Sequence, residues 1–479
     1  MRANFSLDSG RINLILIVSF SLLILAGMSV IRPATRGDGQ EYLLVVESFF
    51  NHLTPDLREA DIKSFEASMN RSGIEYSAAY GKSSFQARDG KNYSSHFWLY
   101  SLSALPAKLL LRVFGLDEVK ALQITNSLLL MAALLSVCFL ARLSDTQKLL
   151  FSLLLVCSPA LWFVHWTHPE IFSISFVTIS IAFMTAGRLD LATLCASIAA
   201  TQSQQLLLFA LFVWLRGIAN SKSRVRDFSV LSALALPAIL PNLFYYFMYG
   251  TPSLIYSGGK ASLGNLSLFR VYELFFDLNI GLVSYIPITL LLFFFVAAAG
   301  ALSGKSRLGL HVLLLMCAMF LVSSSTINWN HGTSGPSRYA VVALPLIFYV
   351  VVANLDELVS KKLLPLLLFG VILQLVIVLL GGGLNPQISY VDHSYSAKFV
   401  LDTFPRLYSP SQEIFCERTN HVDGSCDGMA VYMRDKKCRK ALVGCGQIGE
   451  LEKTCGRLPK PKESYCPGAP SGTRFYVDF

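Results

Sequence analysis

Apolar runs of fifteen to twenty-odd residues alternate with short polar gaps along most of the chain, and the pattern stops at Gly381. The first run, "INLILIVSFSLLILAGMSVI" at 12–31, is long enough to cross about 30 Å of hydrocarbon at about 1.5 Å per residue. No small-residue cleavage site follows it, so the pattern predicts an anchor that stays. Further spans are predicted near 119–141, 149–165, 169–187, 228–248, 281–301, 308–326, 339–353 and 363–380. One run is ambiguous. "LATLCASIAATQSQQLLLFALFVWL" at 191–215 has the length of one crossing, but Arg188 precedes it and the basic gap "RGIANSKSRVRD" follows it. A hairpin of two short helices keeps both ends on one side, with "TQSQQ" at a tip that must be buried in protein or face water. A single helix is the alternative. With the hairpin, the reading is an all-α polytopic membrane protein of about eleven membrane helices.

Charge then orients the chain. At 53% hydrophobic and 15% charged residues, the 479-residue chain carries more apolar surface than a soluble core of this size needs. Its net charge of +9 is spread over short gaps rather than gathered in a patch, so it is read as topology and not as a nucleic-acid footprint. Arg2, Arg11, Arg142, Lys148, Lys305, Arg307, Lys361 and Lys362 mark the cytoplasmic side. Residues 32–118 and 381–479 then lie outside a cytoplasmic (inner) membrane, facing the periplasm or exterior. No internal repeat is visible, which weakens an inverted-repeat transporter.

Cysteine placement agrees with this orientation. Cys138, Cys157, Cys195 and Cys317 fall in apolar runs and read as small hydrophobes. Cys416, Cys426, Cys438, Cys445, Cys455 and Cys466 crowd the polar tail with no CxxC pair, and an even number there reads as three disulfides in an oxidising compartment. The expected division is therefore a membrane domain, 1–380, and a small disulfide-rich extracytoplasmic domain, 381–479.

Four stretches in the outer loops carry chemistry. "RGDGQEYL" follows the first span with Asp38 between two glycines, and "DGKNYSSHFWLYSLSALP" precedes the next span. The piece up to Gly115 carries Lys108 and Arg112 on an otherwise apolar helix and is predicted to lie in the interface. "LFFDLNIGLVSYIP" and "WNHGTSGPSRYAVVALP" lie in later outer loops, the second placing Arg338 where a helix re-enters the membrane. An acid in one loop and an arginine with a histidine in another suit a reaction with a phosphate leaving group.

Together these stretches resemble the GT-C superfamily of polyprenyl-phosphate-sugar-dependent glycosyltransferases, the group that holds protein O-mannosyltransferases and the aminoarabinose transferases of lipid A. The resemblance covers roughly residues 11–365 and not the tail. Those families often show an acidic doublet in the first loop, whereas Asp38 and Glu41 are separated here by Gly39 and Gln40. The resemblance implies a GT-C-like fold and an inverting transfer of sugar from a polyprenyl-phosphate donor. The acceptor, whether lipid, glycan or protein such as a pilin, stays open. Asp38 is the implied general base, with Glu41 beside it, and Arg338, with His331, the implied site of the donor phosphate. Tyr42, Tyr93, His96, Gln202, Gln205 and Asp277 are the candidates to line the substrate pocket. A divalent metal is left open, since no DxD pair stands in the outer loops.

Blander roles compete at each position. Asp38 is also a good N-cap for a helix beginning near Gln40. Arg338 can simply anchor its span, Tyr93 and Trp98 can be interface aromatics, and the glutamines can satisfy a bent backbone. Two other function classes compete with a transferase. A transporter or lipid flippase would be expected to bury charge at mid-bilayer, and a non-catalytic scaffold would only display the disulfide domain.

Overall fold

The computed structural model describes residues 9–76, 84–221, 224–303, 307–332, 334–387, 389–424, 428–456, 458–461, 465 and 473–479. Three helices are long and apolar enough to cross a membrane, at Asn13–Val30, Glu118–Phe139 and Val225–Tyr249. Seven apolar helices of 10–17 residues accompany them. The first long helix is an uninterrupted run, Ser9–Val30, with little amphipathic bias, as a lipid-facing helix requires. Length and composition thus support three full crossings, against the eleven expected. The shorter helices arise where proline or a polar turn breaks a run. At 228–248, by contrast, Pro237 and Pro241 put a 3-10 turn between Arg224–Ala235 and Leu240–Tyr249, and the helical run Val225–Tyr249 continues through it as one of the three long ones.

The segment 191–215 folds as two helices, Leu189–Ala200 and Leu206–Ala219, packed on each other. Each is too short to reach across a bilayer alone, so the tip, Thr201–Gln205, stops inside the protein. The core is centred on Leu344–Ala353, whose residues from Leu344 to Val352 are all buried, against the helix Glu170–Thr185 and the span beginning at Pro287.

Outside the membrane helices, the first outer loop builds a helix, Gly39–His52, on Leu99–Ser103 and Leu105–Val113. Burial continues around this helix: Lys108 is buried, with its ammonium 2.5 Å from Glu47 and 3.2 Å from Glu118, while Leu109, Leu110 and Val113 on the same helix as Lys108 stay exposed. A carboxylate on a fully covered helix needs an ion partner, and Lys108 is the one within reach. Arg112 lies over the Phe50 ring at 4.7 Å. The loop also holds a hairpin, β1 (Ser84–Gln86) and β2 (Asn92–Ser94), turned at Asp89-Gly90 with Gly90 left-handed.

The tail corrects the all-α reading. It contains an antiparallel sheet in the order β3 (Ala430–Arg434), β4 (Lys437–Gly444), β5 (Arg474–Asp478), with the β3–β4 turn formed by Asp435 and Lys436, both left-handed. Strands of five to eight residues in a half-buried sheet carry too weak a period to stand out beside twenty-residue apolar runs. A disulfide joins Cys438 on β4 to Cys455 on the following helix, and Cys416 and Cys445 are also disulfide-bonded. Cys426 and Cys466 lie outside the described residues. Cys138, Cys157, Cys195 and Cys317 are free thiols, buried or half-buried.

Candidate functional site

The segment after the first span is held in place by a loop between two later helices. Ala34 N–H donates to the His165 carbonyl at 2.9 Å, and Thr167 N–H donates back to the Ala34 carbonyl at 3.1 Å. This short parallel bridge is continued by Trp166, whose indole N–H donates to the Arg36 carbonyl at 3.2 Å. Gly37 then takes φ +62°, a left-handed turn that only glycine enters without strain. Gly39 is required for a different reason: a Cβ there would sit 2.3 Å from Thr167 Oγ1. The two glycines therefore let the chain turn sharply and press against "HWTHPE", and Asp38 between them is presented at the end of the helix Gly39–His52.

Asp38 occupies the N-cap position but makes no side-chain cap bond. Its carboxylate turns away instead, with Oδ2 3.4 Å from His96 Nε2 and 3.6 Å from Arg338 Nη1. Capping would have tied this side chain to the helix backbone, and the ion pairs take it elsewhere. His96 is bracketed by acids, since its Nδ1 lies 3.0 Å from Glu41 Oε2. Ser94 and Ser95 donate to the same Glu41 oxygen, at 3.2 and 3.4 Å, and fix it. Burial alone would raise the Asp38 pKa, but the positive charges of His96 and Arg338 outweigh it and hold the carboxyl far below the usual range. Burial would lower the His96 pKa, yet Asp38 and Glu41 prevail and raise it, favouring the imidazolium.

Arg338 starts the short helix Arg338–Val341, capped by Ser337, whose hydroxyl accepts from Tyr339 N–H at 3.2 Å. The loop before it is pinned by backbone bonds from Arg338 N–H to the His331 carbonyl, 2.9 Å, and from Ser337 N–H to the Ile280 carbonyl, 3.0 Å. Arg338 Nη2 donates to Tyr339 OH at 3.1 Å, while Nε has no partner among the described residues.

Beneath this cluster lies a cavity of about 130 Å³ whose walls include Tyr42, His96, Glu170, Gln202, Gln205 and Arg338. Gln205 is locked in its wall, donating to the Tyr339 carbonyl at 3.1 Å and accepting from Ser323 at 2.5 Å. Of the predicted pocket residues, the fold thus brings Tyr42, His96, Gln202 and Gln205 together with Asp38, Glu41 and Arg338. It does not bring the others. Tyr93 is bonded to Asp89 at 2.8 Å and packs edge-on to Phe244, because the β1–β2 hairpin carries it off the cavity wall. Asp277 is buried as a turn-forming acceptor, taking Asn279 N–H at 2.7 Å, Ile280 N–H at 2.9 Å and Tyr408 OH at 2.7 Å, which joins the membrane domain to the tail. His331 turns its ring away from Arg338 toward the tail, with Nε2 3.2 Å from Asp423 and 3.6 Å from Glu417.

His168 and Glu170 were missed by the sequence reading, although both line the cavity. The signal was present: "HWTHPE", 165–170, sets two histidines and an acid at the break between the spans predicted at 149–165 and 169–187, on the predicted outer face. His168 is stacked on Trp166 with ring centroids 3.6 Å apart.

Among the described residues, two groups of side chains could hold a metal ion, Asp38 with Glu41 and His96, and His331 with Glu417 and Asp423. At the first, the Arg338 guanidinium already stands 3.6 Å from the Asp38 oxygen that would be a ligand, and a dication there would meet its repulsion. The fit to a metal at that position is therefore poor.

No family model matches the chain, and no curated protein matches it. Among solved structures, the chain is similar to the crystal structure of ArnT from Cupriavidus metallidurans bound to undecaprenyl phosphate. The TM-score is 0.45 and the identity 13%, over 77% of this chain and 64% of that one, so the chain spans just under two-thirds of that protein's length.

Proposed function

We propose that the protein is a membrane glycosyltransferase of GT-C type that moves a sugar from a polyprenyl-phosphate donor to a hydroxyl-bearing acceptor at the outer membrane face. The observation that carries this reading is the orientation of Asp38. A residue placed to cap a helix instead directs its carboxylate toward Arg338, whose guanidinium lines a cavity. On this reading Arg338 binds the donor phosphate, because its planar fork matches phosphate oxygens and its Nε is unpaired. The acceptor oxygen forms a bond to the anomeric carbon as the bond from that carbon to the phosphate oxygen breaks. The electron pair leaves on the phosphate, stabilised by Arg338, and the acceptor proton passes to Asp38. One base suffices for such an inverting displacement.

The resting electrostatics bear on this assignment. A carboxylate held far below its usual pKa is a poor base. A phosphate that engages Arg338 removes part of the positive field on Asp38 and brings a negative charge near it, and both changes raise its basicity. Glu41 holds His96 in position beside Asp38 and stays ancillary to the proton transfer.

The test is binding of polyprenyl phosphate, without sugar, to detergent-solubilised protein. A lost charge-assisted contact is worth roughly 1.5–3 kcal/mol, so Arg338→Ala should weaken binding by about tenfold or more. Arg338→Lys should recover only part, since an ammonium is a point charge. Wild-type affinity in both variants would remove the phosphate role.

A further inference from the structure

The wall of the cavity holds polar atoms that no protein group satisfies. Glu170 is 7% exposed and His168 1% exposed, and both line the cavity. Glu170 Oε2 has no hydrogen-bond partner among the described residues, and neither ring nitrogen of His168 has a well-formed one. Buried polar groups of native proteins are nearly always paired, so orphans on a cavity wall point to a ligand that pairs them. Water alone could serve, but the cavity, at about 130 Å³, far exceeds the roughly 10–15 Å³ a single water needs. Gln202, Ser325 and Thr326 also line the cavity and add neutral hydrogen-bonding groups to its wall.

Resting on the reading above, we propose that Glu170 and His168, with Gln202, bind the hydroxyls of the transferred sugar, and that this sugar bears no anionic substituent. The charge distribution supplies the second half. Arg338 is the cation assigned to the phosphate, and two acids stand near it, Glu170 on the cavity wall and Asp38 at 3.6 Å from the guanidinium. A carboxylate or sulfate on the sugar would be desolvated beside a buried acid with no further cation among the residues that line the cavity, since Arg338 is assigned to the phosphate and His96 is held between Asp38 and Glu41. His168 does not supply one. Burial, reinforced by the positive charges of Arg338 and His96, outweighs Asp38 and keeps the imidazole neutral. A neutral imidazole and a buried carboxyl group with one unpaired oxygen are well suited to sugar hydroxyls, which can both donate to and accept from them.

The experiment compares three probes on the full-length protein in detergent: bare polyprenyl phosphate, a polyprenyl-phosphate-linked neutral hexose, and the corresponding hexuronic acid. Wild type should bind the neutral hexose conjugate at least tenfold more tightly than the bare phosphate, and the uronic conjugate no more tightly than the bare phosphate. Glu170→Gln and Gln202→Ala should each reduce the gain from the neutral sugar severalfold while leaving bare phosphate binding within about twofold. Equal binding of the uronic and neutral conjugates, or an unchanged sugar gain in both folded variants, overturns the proposal while the transferase reading stands. Failure of wild type to bind the bare phosphate removes that reading, and this one with it.

Discussion

Replacing Asp38 by asparagine separates chemistry from architecture, because the change keeps the shape and removes only the charge and the basic oxygen. The loss in rate follows from the role proposed for it. General base assistance contributes about 10²–10⁴ in rate, which at about 1.36 kcal/mol per tenfold is roughly 3–5 kcal/mol of transition-state stabilisation. The loss in stability is much smaller. Asp38 is one-third exposed, its partners stand at 3.4 and 3.6 Å, and no cap bond is lost, so screening leaves at most about 1 kcal/mol. Bare polyprenyl phosphate should bind the variant at least as tightly as wild type, since the anion that competes for Arg338 is gone. The assay is transfer of labelled sugar from a polyprenyl-phosphate donor panel, with thermal unfolding and phosphate binding measured on the same preparation. Wild-type turnover in Asp38→Asn refutes the reasoning. So does a loss of phosphate binding in step with turnover, which would show that the substitution had collapsed the site.

Three further outcomes are expected. Gly39→Ala should destabilise by about 1–3 kcal/mol through the 2.3 Å approach to Thr167, measured by thermal unfolding, and Thr167→Ala in the same chain should return part of it; additive losses would contradict the packing account. His96 has a folded pKa raised above its ordinary 6.5, so its contribution to stability is complete below that value and is lost as pH rises through the raised one. Asp38 is depressed, so its contribution is complete above about 3.8 and is lost only in strong acid; stability from the pair should therefore fall on the alkaline side first, and His96→Gln should abolish that limb in pH-dependent unfolding. Transfer should survive dialysis against a chelator, because Arg338 already stands beside Asp38; activity lost to chelation and restored by a divalent ion would overturn that expectation.

What the sequence made legible was the residues that break a pattern, and what it hid was the residues that a distant contact recruits. Asp38 between two glycines, the glutamines at 202–205 and Arg338 at the start of a helix each break the local pattern, and each joins the site: the glutamines and Arg338 line the cavity, and Asp38 stands 3.6 Å from Arg338. Asp277 interrupts a run equally well and does not, because its oxygens close a turn and bind Tyr408. Local sequence cannot tell a carboxylate that shapes the backbone from one that faces substrate, since both sit after an apolar helix in an outer loop. The tail sheet was hidden for a related reason: β3 and β5 are five residues each, and the pairing of β5 with β4 is set across tens of residues.

The "HWTHPE" segment is the more instructive case, because its importance depends on the bridge to Ala34. Once residues 34–38 are stitched to 165–168, three separate outer segments face one cavity: the acid from the first, the histidine and buried acid from the second, and Arg338 from the third. In the resting protein the carboxylate of the first neutralises the arginine of the third, so neither charge is left alone in a partly buried site. That pairing has a consequence for the order of events on the proposed reading. An acceptor arriving first would meet a carboxylate held weakly basic by Arg338 and His96, whereas a donor phosphate arriving first takes the guanidinium and frees the carboxylate to accept a proton. On that reading the Arg338 ion pair, together with the larger effect of His96, keeps the proposed base weak until the leaving group is in place.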